Sequence, residues 1–214
     1  MDARFLPGFA LGCSLPMMAR SIAARHPPLI MTPVTLYTIG HSDRPIEAFL
    51  EILRSAAVDT LVDIRARPRS NRHPQYDESA LRQSLAGIPV VYHWAGLHLG
   101  GFREPISASP HAALSGGFQG FADHMDTTEF ARAASQLLKL ASRSPTVMMC
   151  AEMNPEECHR RLLADYLLLQ GATVIHLLGS GEQREHVLHP QARRESAALI
   201  YDAGVSARLP LGKG

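Results

Sequence analysis

The sequence lacks most features of secreted, membrane-bound and strongly charged proteins. Only three cysteines occur among 214 residues, Cys13, Cys150 and Cys158. These are too few for a disulfide framework, which favours a reducing compartment. No apolar run reaches the roughly 20 residues that a membrane-spanning helix needs. The net charge of +1 gives no overall field toward nucleic acid or a membrane surface. We therefore expect a cytoplasmic protein with no membrane partner.

Several catalytic and cofactor-binding motifs are also missing. There is no Gly-rich dinucleotide fingerprint, which argues against a redox cofactor. There is no C-x-x-C pair of the kind that begins many zinc sites. The C-x5-R loop of cysteine phosphatases is absent, because Arg160 lies ten residues after Cys150. We predict no cofactor on these grounds and leave a divalent metal open.

Short apolar strands alternate with segments of helical period along the chain. The predicted strands cover residues 34–39, 60–64, 89–93, 146–149 and 172–177. The predicted helices cover residues 46–53, 77–86, 121–141, 155–170 and 191–200, with a long loop at residues 94–120. This alternation predicts an α/β fold, a mostly parallel sheet of about five strands with helices on both faces in a three-layer sandwich.

The first 33 residues differ from the rest because they show no clear periodicity. We expect residues 1–33 to be an N-terminal extension, either disordered or the product of a misassigned start codon before Met31. Residues 34–214 are predicted to form a single α/β domain.

Polar residues follow the end of each predicted strand. In a parallel sheet these ends lie along one edge, where chain-distant residues converge and ligands bind. The residues concerned are His41 and Ser42, Asp63 and Arg65, His93, Cys150 and Glu152, and His176. The sequence therefore predicts a site at this edge of the sheet.

The densest chemistry lies between residues 147 and 165. Cys150 is either a buried core thiol or a nucleophile whose pKa is lowered by nearby His159 and Arg160. Glu152 and Asp63 are either ion-pair partners of arginines or carboxylates for acid, base or nucleophilic work. His41 and His159 are the candidate proton carriers. These five residues, Cys150, Glu152, His41, Asp63 and His159, form the predicted catalytic set.

A metal is the alternative use of the same motif. Cys150, Cys158 and His159 could supply three soft ligands. If Cys158 and His159 lie on a helix, however, adjacent side chains point about 100° apart and rarely bind one ion. The helical prediction for residues 155–170 therefore disfavours a metal site.

A basic loop at residues 65–76 carries four arginines and no apolar period. It is either a solvated loop or an anion-binding wall, since arginine suits phosphate. A helix starting at Pro155 would add to the attraction for an anion. Tyr76, Trp94 and Phe102 could stack on a base. The predicted anion-binding residues are Ser42, Arg65, Arg69, Arg103, Arg160 and Tyr76.

Five separated motifs resemble one known family, the bacterial and archaeal "domain of unknown function 488" family, over roughly residues 35–180. They are Tyr37-Thr-Ile-Gly-His-Ser42, Leu61-Val-Asp-Ile-Arg65 with Pro68-Arg69-Ser70, Leu99-Gly-Gly101 with Arg103, Phe121-Ala122 with Met125, and Met149-Cys-Ala-Glu152 with Pro155 and Cys158-His159-Arg160. Tyr76 stands where the family would have phenylalanine. The resemblance implies a small cytosolic α/β protein with the Cys-Ala-Glu and Cys-His-Arg motifs at its site, and it implies no activity.

Three functional hypotheses follow. The first is a hydrolase or transferase acting on a phosphorylated, nucleotide or nucleic-acid substrate. The second is a non-catalytic nucleic-acid-binding module in which the same arginines contact phosphates. The third is a metal-binding or redox-sensing protein that uses Cys150, Cys158 and His159. The expected partner is an anionic small molecule or nucleic acid, and the oligomeric state is open, with a homodimer as one option.

Overall fold

A computed structural model describes residues 34–196 and 198–205 of the chain. The strands are β1 (Thr35–Gly40), β2 (Thr60–Asp63), β3 (Val91–Trp94), β4 (Thr146–Cys150), β5 (Thr173–Gly179), β6 (Glu182–Glu185), β7 (Ala192–Glu195) and β8 (Ala198–Tyr201). The helices are α1 (Ile46–Ser55), α2 (Glu78–Leu85), α3 (Gly96–Leu99), α4 (Gly116–Met125), α5 (Thr128–Ala141) and α6 (Arg160–Leu169).

Six strands form the central sheet, in the order β3-β2-β4-β1-β5-β6. The first five in this order run parallel, and β6 pairs antiparallel with β5 at the edge. The predicted mostly parallel α/β sheet is confirmed, with one strand more than the five expected. The extra strand is short and fully exposed, so it carries none of the apolar pattern that identifies a strand in sequence.

Two hydrophobic cores cover the two faces of this sheet. One face packs α1 and α2, through side chains such as Phe49 and Leu81, against Leu61, Val147 and Met149 of the strands. The other face packs α4, α5 and α6 against alternate strand residues. Because successive strand residues point to opposite faces, the apolar β4 supplies both cores and the three-layer arrangement follows.

The connections that leave β1 and β4, which are neighbours in the sheet, lead toward opposite edges of the sheet. The connection after β1 leads through α1 on one face to β2, while the connection after β4 leads through α6 on the other face to β5. The two strand ends are held side by side, since the backbone N–H of His41 donates to the carbonyl of Cys150 at 3.0 Å. Ligands of open α/β sheets bind at such a switch point.

Residues 191–200 do not form the predicted last helix. They lie in a hairpin of β7 and β8, in which Leu199 and Tyr201 are buried. Alternate burial along β8 has the period of a strand, and the preceding Arg-Arg-Glu run hid this signal in the sequence.

The predicted helix at residues 155–170 is also wrong at its start. Pro155–Glu157 makes a 3-10 turn, Cys158 is extended with φ −131° and ψ 141°, and α6 begins only at Arg160. The Asn154 side chain accepts a hydrogen bond from the Glu156 N–H. Asn154 therefore does act as a cap, but it caps only the three-residue turn Pro155–Glu157 and not α6.

The other predicted helix, residues 121–141, is two helices. Thr127 separates them by capping α5, since its side chain accepts from the Phe130 N–H. The predicted loop at 94–120 holds α3 and the start of α4. The predicted extension at residues 1–33 lies outside the described residues. Among the residues described, no helix is long and apolar enough to cross a membrane.

Candidate functional site

A cleft of about 1270 Å³ opens at the carboxyl edge of the sheet, over the ends of β1 and β4. It is lined by seven of the residues predicted from the sequence: His41, Ser42, Arg65, Arg69, Cys150, Glu152 and His159. Four predicted residues, Asp63, Tyr76, Arg103 and Arg160, are not part of its lining. The strand ends thus bring together chain-distant polar groups at one place.

The floor of the cleft holds Cys150, Glu152 and His159. The Cys150 thiol donates to a carboxylate oxygen of Glu152 at 3.2 Å. Its Sγ also lies 3.7 Å from Nδ1 of His159. A thiol, a carboxylate and an imidazole are therefore in mutual reach at the surface of the cleft.

The tautomer of His159 follows from its other contact. Nε2 lies 3.1 Å from the carbonyl oxygen of Leu99. Because a carbonyl only accepts hydrogen bonds, Nε2 carries the proton and donates it there. In the neutral ring, Nδ1 is then a free lone pair, and it faces the sulfur atoms of Cys150 at 3.7 Å and Cys158 at 3.8 Å.

The two acidic groups beside this imidazole differ in their pKa shifts. Burial raises the pKa of Glu152, but hydrogen bonds from Cys158, from its own backbone and from Cys150 outweigh it, and the net pKa lies below the ordinary value. Burial, reinforced by the Cys150 thiol, raises the pKa of Cys158 well above its ordinary value. The centre thus combines an ionised carboxylate with a buried thiol.

Two glycines allow backbone and side chains to meet at this centre. A Cβ on Gly40 would collide with the carbonyl oxygen of Glu152. A Cβ on Gly101 would lie 2.7 Å from two ring atoms of His159. The Leu99-Gly-Gly101 segment therefore both receives the His159 hydrogen bond and leaves room for its ring.

Asp63 supports the site from behind instead of facing the ligand. It is fully buried and accepts hydrogen bonds from the Arg65 guanidinium, as short as 2.6 Å, and from the Tyr92 hydroxyl at 2.8 Å. Its predicted acid or base role has no access to the cleft. Its carboxylate instead fixes the direction of Arg65, which does line the cleft.

His41 lines the cleft, but both of its ring nitrogens are occupied. Nδ1 donates to the Ser42 carbonyl at 2.8 Å, so Nε2 accepts from Arg65 at 3.3 Å. Burial lowers the pKa of His41 to about 4 overall; the bond to Ser42 opposes this shift and the Arg65 charge adds to it. This arrangement disfavours the predicted role as a proton carrier near neutral pH and suits the positioning of Arg65.

Tyr76, Arg103 and Arg160 do not reach the ligand side. Tyr76 is fully buried, stacks on His41 with 4.2 Å between ring centroids, and donates to a backbone carbonyl. Arg160 is 1% exposed, and its guanidinium donates to the carbonyls of Glu152 and Met153. Arg103 donates to two carbonyls of its own loop. All three side chains are bound within the protein and none of them lines the cleft, so their predicted anion contacts are not supported.

The expected anion-binding helix end at Pro155 is absent, because only a three-residue turn begins there. The same correction affects the metal argument. Since Cys158 is extended, its side chain and that of His159 are not fixed 100° apart as on a helix. The ligand atoms of Cys150, Cys158 and His159 all lie within 4.8 Å of one another.

The arginine loop, residues 65–76, forms another part of the cleft lining. Arg67, Arg69 and Arg72 line the cleft with exposed side chains. Within the part of the chain that the structure describes, none of these three forms a salt bridge. Sequence reasoning placed all of them in a basic loop but selected only Arg69. The α4 residue Phe118 and Glu157, which also line the cleft, were missed because they gave no motif.

Two predicted strand-end histidines lie elsewhere. His93 is exposed and outside the cleft lining. His176 lies within β5 and is buried. Its ring bonds to Thr38 and His186, and His186 in turn bonds to Asp165. Thr38, Asp165, His176 and His186 thus form a separate polar cluster, which is buried and does not line the cleft.

Comparison with protein families matches the sequence to one of them. The family described as "Domain of unknown function DUF488" matches residues 45–167. The chain belongs to this family. The matched DUF488 segment contains Arg65, Arg69, Cys150, Glu152 and His159, and His41 and Ser42 precede it. No curated protein and no solved structure matches the sequence.

Proposed function

We propose that the protein is an enzyme that hydrolyses, or transfers a group of, a phosphorylated or nucleotide-like substrate bound in this cleft. One observation carries the proposal: the exposed arginines Arg67, Arg69 and Arg72 (the arginine wall) line the same cleft as the Cys150, Glu152 and His159 centre. The family assignment is neutral on this point, because the family is defined without an activity.

The arginine wall suits a phosphate group. Guanidinium groups bind phosphate oxygens through paired N–H donors. Arg67, Arg69 and Arg72 are exposed to the cleft, so their donors are available to a ligand. Arg65 is held against Asp63 and supplies a fixed positive charge deeper in the cleft.

The Cys150, Glu152 and His159 centre supplies candidates for the attacking group and for the group that moves a proton. Hydrolysis and group transfer need a group that attacks and a group that moves a proton. His159 presents an unprotonated Nδ1 toward Cys150. Glu152 is ionised, since its net pKa lies below the ordinary value. All three line the cleft surface on which a substrate would lie.

The size and the rim of the cleft favour a substrate as large as a nucleotide. The volume of about 1270 Å³ is above the about 300–1,000 Å³ that most small-molecule sites span. Trp94 and Phe102 line it with 42% and 81% of their surfaces exposed. Exposed aromatic faces are what nucleobases stack on.

Turnover of a chemically defined panel tests the proposal. The wild-type chain would be incubated with phosphomonoesters, phosphodiesters and nucleotides, with inorganic phosphate release and chromatography of the nucleotides as readouts. We expect turnover of at least one class. The Cys150→Ala/Glu152→Gln double variant should lose it by more than about 100-fold, since removal of one catalytic group costs about 10²–10⁴.

The matched control is Glu51→Gln, which removes an exposed carboxylate of α1 in an ion pair with Arg54. It should leave turnover unchanged. A double variant that retained every activity of the wild type would contradict the proposal, as would a panel of which no member is bound or converted.

Non-catalytic binding of single-stranded nucleic acid is the second candidate. The 81% exposure of Phe102 beside the arginine wall favours it, because such proteins combine stacking aromatics with a basic groove. Binding to an oligonucleotide should then weaken steeply with salt, and Arg69→Ala should lower the salt slope by about one. Oligonucleotide binding that is absent or insensitive to salt would exclude this candidate.

A further inference from the structure

We propose that Cys150, Cys158 and His159 form a zinc site with one coordination position open to the cleft. The binding of the metal stands on the geometry of these three residues alone. Its chemical consequence rests on the proposed function, since the open position faces the same cleft.

The separation of the ligand atoms matches a tetrahedral zinc site. Nδ1 of His159 lies 3.7 Å from Sγ of Cys150 and 3.8 Å from Sγ of Cys158. With Zn–S of about 2.3 Å and Zn–N of about 2.0 Å, a tetrahedron has an N-to-S edge of about 3.5 Å. Both N-to-S distances are therefore close to the edge of a zinc tetrahedron, and all three ligand atoms lie within 4.8 Å of one another.

The backbone explains how the three side chains converge. Cys150 is the last residue of β4, and Cys158 and His159 fill the gap between the 3-10 turn and α6. The extended conformation of Cys158 turns two sequence neighbours toward one point. The segment before α6 thus brings Cys158 and His159 close to Cys150 at the end of β4.

His159 is oriented as a metal ligand normally is. Its Nε2–H donates to the Leu99 carbonyl, and metal-binding histidines usually hold their second nitrogen in this way. In the neutral ring Nδ1 then carries the lone pair, and it is directed at the two sulfur atoms. Gly101 leaves room for the ring in this position, because a Cβ there would lie 2.7 Å from two of its atoms.

The chemistry of the ligand set selects the metal. Two thiolates and one imidazole are soft and borderline donors, which suit zinc and not magnesium or calcium. Binding would replace the two thiol protons with the ion, so about two protons should be released for each Zn²⁺ bound. Both thiols are buried.

The fourth position opens toward the cleft. Cys150 and His159 line the cleft whereas Cys158 is buried and does not, so the cleft is the side from which water or substrate can complete the coordination. Three protein ligands with an open position are typical of catalytic zinc. Glu152 lies beside Cys150, where its carboxylate can take one proton from a zinc-bound water and leave hydroxide on the metal.

Metal titration of the full-length chain tests this site without reference to activity. The protein, stripped by a chelator and kept reduced, would be titrated with Zn²⁺ in buffers of different ionisation enthalpy. We expect one Zn²⁺ per chain and release of about two protons. Co²⁺ should give a thiolate-to-cobalt charge-transfer band in the near ultraviolet, which needs no variant that could misfold.

Variants identify the ligands. Cys158→Ser and His159→Ala should each weaken Zn²⁺ binding by at least about 100-fold, since losing even an outer-shell partner costs about 10–100-fold. Cys13→Ser, which changes the third cysteine of the sequence, should bind as the wild type does.

Three results would overturn the site: no stoichiometric Zn²⁺, a Co²⁺ spectrum without the thiolate band, or a Cys158→Ser variant that binds as the wild type does. A disulfide between Cys150 and Cys158 in freshly purified protein would likewise overturn it. Metal binding without turnover would contradict the proposed function alone, and turnover by the metal-free chain would contradict the role of the metal.

Discussion

Two polar clusters in this molecule use similar residues in opposite ways. The cleft centre of Cys150, Glu152 and His159 lies at the sheet edge with groups that face a ligand. The buried cluster of Asp165, His176 and His186 lies among α6, β5 and the segment that follows β6, with no contact to the cleft. Both place histidine beside an acidic group, yet their hydrogen bonding differs completely.

In the buried cluster every group has a partner. The carboxylate of Asp165 accepts from His186 Nε2 at 2.8 Å and from the Tyr201 hydroxyl at 3.0 Å. His186 Nδ1 then accepts from His176 Nε2 at 3.0 Å, and His176 Nδ1 accepts from the Thr38 hydroxyl at 2.7 Å. The chain of bonds ends without a free lone pair for a substrate. In the cleft, by contrast, His159 keeps its Nδ1 unused by any oxygen or nitrogen donor.

This difference teaches how to separate structural from functional polar groups here. Fully satisfied buried networks rigidify a fold, and a network with an unused acceptor at a surface can bind or react. The first should control the free energy of unfolding, and the second should control binding and turnover. Three predictions test that division.

The largest expected effect is on stability, from Asp165→Ala. The change leaves the His186 and Tyr201 donors and the His189 N–H buried without their acceptor. Breaking a buried charged partnership costs about 3–5 kcal/mol. Urea unfolding should show the free energy of unfolding lowered by that amount.

Cys150→Ala provides the comparison for this measurement. It removes a small buried group at the cleft, so the free energy of unfolding should fall by only about 1 kcal/mol. Equal losses in the two variants would mean that the cleft centre is as structural as the buried cluster.

A smaller effect is expected from Gly101→Ala, which acts on the cleft centre alone. The added Cβ would lie 2.7 Å from two ring atoms of His159, so the imidazole must shift. Zn²⁺ affinity should fall by about 10–100-fold, the cost typical of disturbing a ligand's orientation. Calorimetric titration with Zn²⁺ measures this directly.

Gly117→Ala is the matched control, because Gly117 also lines the cleft and an added Cβ there meets no atom within 4 Å. It should leave Zn²⁺ affinity unchanged. If both alanine variants bound Zn²⁺ as the wild type does, the orientation of His159 by the Leu99-Gly-Gly101 segment would not matter.

The effect that is smallest at neutral pH is the acid dependence of stability from the buried cluster. Burial, together with the charges of His186, Arg160 and Arg184, lowers the pKa of His176 from 6.5 to about 3. Between these pH values the unfolded chain binds more protons than the folded one, so stability rises with pH. It is lost as the pH falls below about 6.5, by up to about 1.4 kcal/mol per pH unit.

Urea unfolding at several pH values between 6.5 and 4 measures this slope. His176→Gln should flatten it, whereas His98→Gln, at an exposed position of α3, should leave it as in the wild type. A slope that is the same in both variants would assign the acid sensitivity to other groups.

The sheet and the position of the site could be predicted because they rest on strong local signals. β2 and β4 are buried along their whole length, so they read as continuous apolar runs in the sequence. A polar residue directly after such a run marks the strand end. In a parallel sheet those ends share an edge, which is why Cys150, Glu152 and Arg65 were placed together.

The roles of individual polar residues could not be predicted in the same way, because they depend on tertiary partners. Arg160 reads as an anion ligand, but the backbone carbonyls of Glu152 and Met153 occupy its guanidinium. The buried cluster joins Thr38, Asp165 and His186, which are far apart in sequence. No local sequence pattern predicts which buried donor will bond to which buried acceptor.

The segment before α6 shows a limit of capping signals. Asn154 and Pro155 indicate a helix start, and a turn does begin there. The signal does not say whether that turn continues. The extended Cys158 interrupts it, and this interruption is what brings Cys158 and His159 onto Cys150. The three residues of the proposed metal site could therefore be named from the sequence, but their convergence could not.

The most direct test of the central claim is whether the arginine wall and the cleft centre serve one ligand. The rate of Cys150 alkylation by iodoacetamide would be measured in metal-free, reduced protein with increasing ADP or inorganic phosphate. We expect the anion to slow alkylation in the wild type. In Arg69→Ala the same protection should need about 10-fold more anion, as expected for one lost charge-assisted bond, whereas Arg54→Ala should behave as the wild type. Alkylation that proceeds at the same rate with and without saturating anion would contradict the account.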